Sequence, residues 1–127
     1  MNYQKTFYYD DGKTIYAIEE YDLKTGKRIK ETYYDDDGKT KRFFIEYYSD
    51  GKLNKSTWFR EDGKKIDSIT EYDPQTSKIT KKTWFHKDGK TINCITEYDL
   101  EKEAPIKETY YNSDGTIKEE KNFFINI

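Results

Sequence analysis

The acidic turn at Asp35-Asp36-Asp37-Gly38 is the first place in this 127-residue sequence where residue types suggest chemistry. Carboxylates are preferred Ca²⁺ ligands. An EF-hand loop, however, would need an acid two residues before Asp35 and a glutamate six residues after Gly38, where Tyr33 and Phe44 stand. We therefore interpret these aspartates as turn caps and predict no metal site.

His86 and Cys94, the only histidine and the only cysteine, flank one predicted hairpin. A Cys–His nucleophile needs close contact and a third orienting group. Cys94 shares its position in the repeat described below with Ala17 and Ser68, which favours a packed thiol. We predict no catalytic residues, no cofactor and no enzymatic activity. A lone cysteine also excludes an internal disulfide.

The elements that position these residues come from a repeat of about 26 residues. Threonine and two aromatic residues precede each of five Asp-Gly pairs, which end at Gly12, Gly38, Gly63, Gly89 and Gly115. A second turn lies near the middle of each repeat. The runs between turns are rich in Thr, Ile, Tyr, Trp and Phe, which is typical of strands.

We predict a single all-β domain over residues 1–127, an antiparallel β-hairpin repeat meander of about ten strands in a single curled sheet. A closed barrel and a two-layer sandwich are the alternatives. The strands are expected near 3–9, 14–21, 27–34, 40–48, 52–59, 64–72, 78–85, 91–98, 105–111 and 116–124.

The Asp-Gly turns fit a type I turn followed by a left-handed glycine, a G1 bulge. This turn predicts three cross-strand pairs: Phe7 with Ile15, Trp58 with Ile66, and Trp84 with Ile92. They would lie on an inner face that also holds Ala17, Phe43, Ser68, Cys94, Tyr21, Tyr47, Tyr72 and Tyr98. Replacing either tryptophan with alanine would then cost about 3–5 kcal/mol, as for buried aromatics.

The opposite face is predicted to combine rows of threonine, lysine and glutamate with apolar side chains. Exposed aromatics mark protein or glycan interaction sites, although packing against a rolled-over sheet or a neighbouring chain explains them equally well. The candidate interaction surface is the aromatic row four residues before each glycine: Tyr8, Tyr34, Phe59, Phe85 and Tyr111.

The phrases EYDLKTGKRIKETYYDDDGKT and IDSITEYDPQTSKITKKTWFHKDGKTINCITEYD resemble a phytoplasma repeat family of unknown function, whose members are strings of EYD…TGK…DGKTI units. The resemblance runs from about Tyr3 to Phe124 and implies a hairpin repeat but no activity. The pattern breaks at Ser49-Asp50-Gly51 and at 102–105, where different hairpins are expected.

The charge and hydropathy of the sequence limit the classes of partner that the protein can bind. The formal net charge is -2, with acids and bases interspersed, so no basic field is available for nucleic acid or an anionic membrane. No apolar run reaches the length of a membrane span, and no signal peptide opens the chain, so secretion would depend on a signal removed ahead of this sequence.

Two functions remain. The first is a non-enzymatic protein–protein interaction scaffold that binds a protein partner through a sheet face or edge. The alternative is a glycan or cell-surface binding module that uses the aromatic rows. Open edge strands, together with the apolar segment Phe123-Phe124-Ile125, would also allow a homodimer.

Overall fold

The computed structural model describes residues 2–123, which form ten strands and no helix. The strands are β1 (Asn2–Tyr8), β2 (Ile15–Asp22), β3 (Arg28–Tyr34), β4 (Lys41–Tyr47), β5 (Leu53–Phe59), β6 (Ile66–Tyr72), β7 (Ile79–Phe85), β8 (Ile92–Asp99), β9 (Ala104–Tyr111) and β10 (Ile117–Asn122). No helical segment in this part of the chain is therefore suited to crossing a membrane.

The strands form one sheet in the order in which they occur in the sequence, and each is antiparallel to the next. Within residues 2–123, β1 pairs only with β2, and β10 pairs only with β9, so the sheet is open. The predicted single-sheet meander is confirmed, rather than a barrel or a sandwich. The predicted end of the last strand, with Phe124 and Ile125, lies outside the described residues.

All nine hairpins turn through a residue in the left-handed backbone region: the seven glycines, Ser77 and Glu103. In the third Asp-Gly hairpin, the amide of Gly63 donates to the carbonyl of Arg60 at 2.9 Å. The carboxylate of Asp62 accepts hydrogen bonds from the amides of Lys64 and Lys65 at 2.8 and 2.9 Å. The interpretation of the Asp-Gly aspartates as turn caps is thus confirmed at this hairpin.

The predicted cross-strand pairs are wrong by two residues. Phe7 faces Ala17 rather than Ile15, Trp58 faces Ser68 rather than Ile66, and Trp84 faces Cys94 rather than Ile92. One residue of this shift comes from the loop, because Arg60 closes the hairpin with Lys65 and leaves four residues between them instead of three. The other is a β-bulge at the start of the returning strand. Ala17, Ser68 and Cys94 keep the predicted face. The bulge places the three isoleucines on the opposite face, where Ile15, Ile66 and Ile92 pair with Tyr8, Phe59 and Phe85.

The two faces of the sheet differ in chemistry. We call the side that carries Tyr33, Trp58 and Trp84 the aromatic face. The charged face is the other side, where glutamates and lysines alternate across the strands: Glu20, Lys30, Glu46, Lys55, Glu71, Lys81, Glu97 and Lys107.

The aromatic face is not an inner face within the single chain, which corrects the sequence-based prediction. Trp58 and Trp84 are 39% and 36% exposed, and no large side chain in residues 2–123 is fully buried. The buried hydrophobic residues of this region are Ala17 and Cys94; the other buried positions are polar, chiefly Ser and Thr. A one-layer sheet has no second layer to cover its rings, so the cost predicted above for removing a buried tryptophan does not apply.

Three of the five Asp-Gly turns pack against one another's repeats at one end of the strands. A Cβ placed on Gly38 would lie 3.1 Å from the backbone nitrogen of Ile15, one repeat earlier. The same approach brings Gly63 to 3.0 Å from the nitrogen of Lys41, and Gly89 to 2.9 Å from that of Ile66. These three turns therefore pack against the start of a strand in the preceding repeat, whereas a Cβ on Gly12 or Gly115 would meet nothing within 4 Å.

Candidate interaction surface

A single row of side chains crosses the aromatic face from β1 to β9. Cross-strand pairing places one residue from each of β1–β9 in this row. Aromatic residues alternate with smaller ones along it, except on β4, where the residue is Phe43. In strand order, the row is Phe7, Ala17, Tyr33, Phe43, Trp58, Ser68, Trp84, Cys94 and Tyr110.

Small residues in the row let the neighbouring rings settle onto the sheet. Ser68 lies between Trp58 and Trp84 and is only 2% exposed. Cys94 lies between Trp84 and Tyr110 and is also buried. The two indoles thus shield their small neighbours while keeping much of their own surface in water.

Phe43 occupies one of the small positions and produces a three-ring stack. Its ring centroid lies 4.7 Å from that of Tyr33 and 4.2 Å from that of Trp58, with interplanar angles of 18° and 22°. Each such contact contributes about 0.5–1.5 kcal/mol beyond the area it buries. The stack gives strands β3–β5 a rigid aromatic surface.

A buried carboxylate supports this stack from the adjacent row. The Glu31 side chain accepts hydrogen bonds from the hydroxyls of Tyr33, at 2.9 Å, and Tyr47, and forms an ion pair with Arg28 at 3.4 Å. Burial and the bond to Glu31 raise the pKa of Tyr33 and of Tyr47 to about 12. Because Tyr33, Tyr47 and Arg28 all contact the carboxylate, this cluster holds the ring of Tyr33 in place beside Phe43.

Arg60 joins two repeats near the stacked turns. Its guanidinium donates to the carbonyl of Phe85 at 2.8 Å and lies 3.5 Å from the carboxylate of Asp67. The β6–β7 ladder reaches only Ser68 and Trp84, so this carbonyl lies beyond its last cross-strand pair. An open groove of about 380 Å³ runs from Arg60 past Trp84 to Tyr110 on the aromatic face.

The predicted interaction row lies on the charged face, close to the turn edge. Its members Tyr8, Tyr34, Phe59, Phe85 and Tyr111 pair with Ile15, Lys41, Ile66, Ile92 and Ile117. Tyr8 is 49% exposed, whereas the other four are half-buried. The structure therefore places this row on one face, but the larger exposed rings of the central strands belong to the opposite face.

Cys94 and His86 form no nucleophilic pair. Burial raises the pKa of the Cys94 thiol, which opposes the thiolate that a nucleophile requires. Among residues 2–123, no group of three or more histidine, cysteine or acidic side chains is arranged to hold a metal ion.

Comparison with known families agrees with the repeat architecture. A family described as proteins of unknown function, DUF2963, matches residues 8–58 and again residues 59–110. The chain belongs to this family. Each match covers two of the 26-residue repeats seen in the sequence, so the predicted membership of a repeat family of unknown function is confirmed, and a phytoplasma origin stays a prediction. Among curated proteins, none matches the chain significantly.

Two solved structures share the fold at low sequence identity. The GtfA/B complex bound to UDP and GlcNAc has a TM-score of 0.59 and 10% identity over 84% of this chain. A variant of TarM from S. aureus, in complex with Fondaparinux, alpha-GlcNAc-glycerol and UDP, has a TM-score of 0.60 and 12% identity over 94%. The chain spans 22% and 21% of those two chains, and the likeness shows the fold alone.

Proposed function

We propose that this DUF2963 protein is a non-enzymatic scaffold that binds another protein through its aromatic face. The observation that carries the proposal is the exposure of Trp58 and Trp84 in one row of a preformed, one-layer sheet. Tryptophan and tyrosine dominate the energetics of protein interfaces because they bury a large area at a small cost in conformational entropy. The row predicted from the sequence is less suited because its one exposed ring, Tyr8, lies on the edge strand β1, whereas Trp58 and Trp84 lie on central strands.

Trp58 and Trp84 lie in one row on the central strands β5 and β7, so a partner can contact both indoles at once without any change in the backbone. Hydrogen bonds and stacking fix the rings before binding, which lowers the entropic cost of association. The buried Glu31 cluster and the Phe43 stack serve this purpose at one end of the row.

Capture experiments with matched baits test the proposal. The baits are the wild type, a Trp58→Glu/Trp84→Glu variant, and a Phe59→Glu/Phe85→Glu control, whose substitutions lie one residue further along the same strands and on the other face. Quantitative mass spectrometry of proteins captured from bacterial and host lysates should show partners held by the wild type and the control but lost from the tryptophan variant. Equal capture by all three folded baits would contradict the assignment of the surface.

A glycan-binding module is the second candidate, favoured by the two exposed indoles, since aromatic faces also stack on sugars. The two structural neighbours carry sugar ligands in their crystals, but the likeness to them reaches only the fold. Binding on a glycan array that Trp58→Ala abolishes and Tyr34→Ala preserves would favour this candidate over the protein scaffold.

A further inference from the structure

The centre of the aromatic face is almost free of charge and is covered by nothing within residues 2–123. Its two central rows over β4–β8 contain Phe43, Ile45, Trp58, Thr70 and Trp84 among their ten positions. Lys82 is the single charged residue in those rows, and its ammonium lies 4.0 Å from the ring centroid of Trp84. On the charged face, each of the strands β4–β8 carries a glutamate or a lysine in one row.

An apolar sheet face normally packs against a second layer, because only a second layer removes its side chains from water. This chain supplies one layer, and Ala17 and Cys94 are the buried hydrophobic residues of the described region. Trp58 and Trp84 therefore leave 39% and 36% of their surface in water, and a second layer on the aromatic face would bury this area.

We infer that a second copy of this chain covers the aromatic face, so that two sheets pack face to face as a sandwich. The inference rests on the proposed function and names the partner. Five strands about 4.8 Å apart, each with seven residues at about 3.4 Å rise, give the whole aromatic face of β4–β8, which extends beyond the two central rows, an area of about 24 by 24 Å. Two such patches bury about 1,150 Å², which exceeds the roughly 1,000 Å² expected of a specific interface.

A second copy suits this surface because the same patch meets itself across a two-fold axis. Stacking of the uncharged centres brings no opposed carboxylates together, and the one ammonium is already seated on an indole. Sheets packed in this way lie about 10 Å apart, with their strands within about 30° of alignment. Trp58 and Trp84 of both copies would then fill the space between the layers.

Two measurements on the wild-type chain test the inference without any substitution. Light scattering over a concentration series should give a mass rising to twice 15.3 kDa. The two tryptophans of the sequence, Trp58 and Trp84, both lie on the aromatic face, so their fluorescence reports on that face alone. Acrylamide quenching should fall several-fold, and the emission should shift to the blue, over the same concentrations.

Paired variants locate the contact. Trp58→Glu on the aromatic face should keep the chain at the single-copy mass. The remaining tryptophan, Trp84, should then be quenched by acrylamide equally at every protein concentration. Phe59→Glu, one residue further on the charged face, should still form the pair. Circular dichroism checks that both variants keep the strand signal, and Trp84→Glu replaces the first variant if it does not fold.

Two outcomes would overturn the inference. One is a single-copy mass throughout the series with unchanged quenching. The other is a doubled mass with both tryptophans still quenched, which would mean that the copies meet elsewhere, for example along β1 or β10. A single-copy protein that still captures a foreign partner through its tryptophans would overturn self-association and leave the proposed function standing.

Discussion

Replacing Gly89 with alanine tests the stacking of the Asp-Gly turns, and Gly26 provides a matched control. Both glycines have φ of 71°, where a side chain is strained. An added Cβ at Gly26 meets nothing within 4 Å. At Gly89 it would lie 2.9 Å from the backbone nitrogen of Ile66 and 3.0 Å from the Cα of Lys65.

The two substitutions share one energetic cost and differ in the other. Alanine in the left-handed region costs about 1–2 kcal/mol at either position. At Gly89, the Cβ also presses on backbone atoms that cannot rotate away, and such overpacking adds about 1–3 kcal/mol. We therefore expect Gly89→Ala to lower the free energy of unfolding by about 2–5 kcal/mol and Gly26→Ala by about 1–2 kcal/mol. The gain from a stiffer unfolded chain is equal for both and cancels in the comparison.

Urea unfolding followed by circular dichroism measures both values, with the slope of the transition checked for a change in cooperativity. Gly89→Asn separates the two costs, because asparagine tolerates the left-handed region and keeps only the steric cost. Equal losses for Gly89→Ala and Gly26→Ala would refute the packing of this turn against the preceding repeat.

Three further predictions concern single contacts. Arg60→Lys loses the planar guanidinium that bridges to the Phe85 carbonyl, so the free energy of unfolding should fall by about 1–2 kcal/mol in urea titrations; an unchanged midpoint would refute the bridge. The raised pKa of Tyr47, about 12, means that its contribution to stability is complete below pH 10 and is lost as the pH rises from about 10 to 12. Absorbance titration should show Glu31→Gln bringing this ionisation to lower pH, and an unmoved titration would contradict the pairing. Hydrogen bonds from Thr91 and the Lys90 amide lower the pKa of Asp88 to about 2, so stability present above pH 4 should decline between about pH 4 and 2; Asp88→Asn should weaken that acid dependence, and an identical acid profile would count against the cap.

The fold followed from local signals that act within a few residues. Each Asp-Gly pair specifies a reversal because glycine tolerates the positive φ that the turn needs, and the aspartate caps the following amides. Runs of β-branched and aromatic residues between closely spaced turns leave no room for a helix, so neighbouring strands must pair in sequence order. Most of each face was also predictable, because residues beyond the bulge keep their alternation along the strand, whereas Ile15, Ile66 and Ile92 change face at the bulge.

The register and the exposure of the tryptophans were decided only by the assembled sheet. The bulge at Asp67 depends on how the whole of β6 pairs with β5, and the residue types around Asp67 do not predict a bulge. A row that contains Trp58, Ser68 and Trp84 is typical of a packed interior. Whether a second layer covers that row depends on the curvature and closure of all ten strands. Local turn chemistry determines how strands pair; the global path of the sheet determines which side chains reach water.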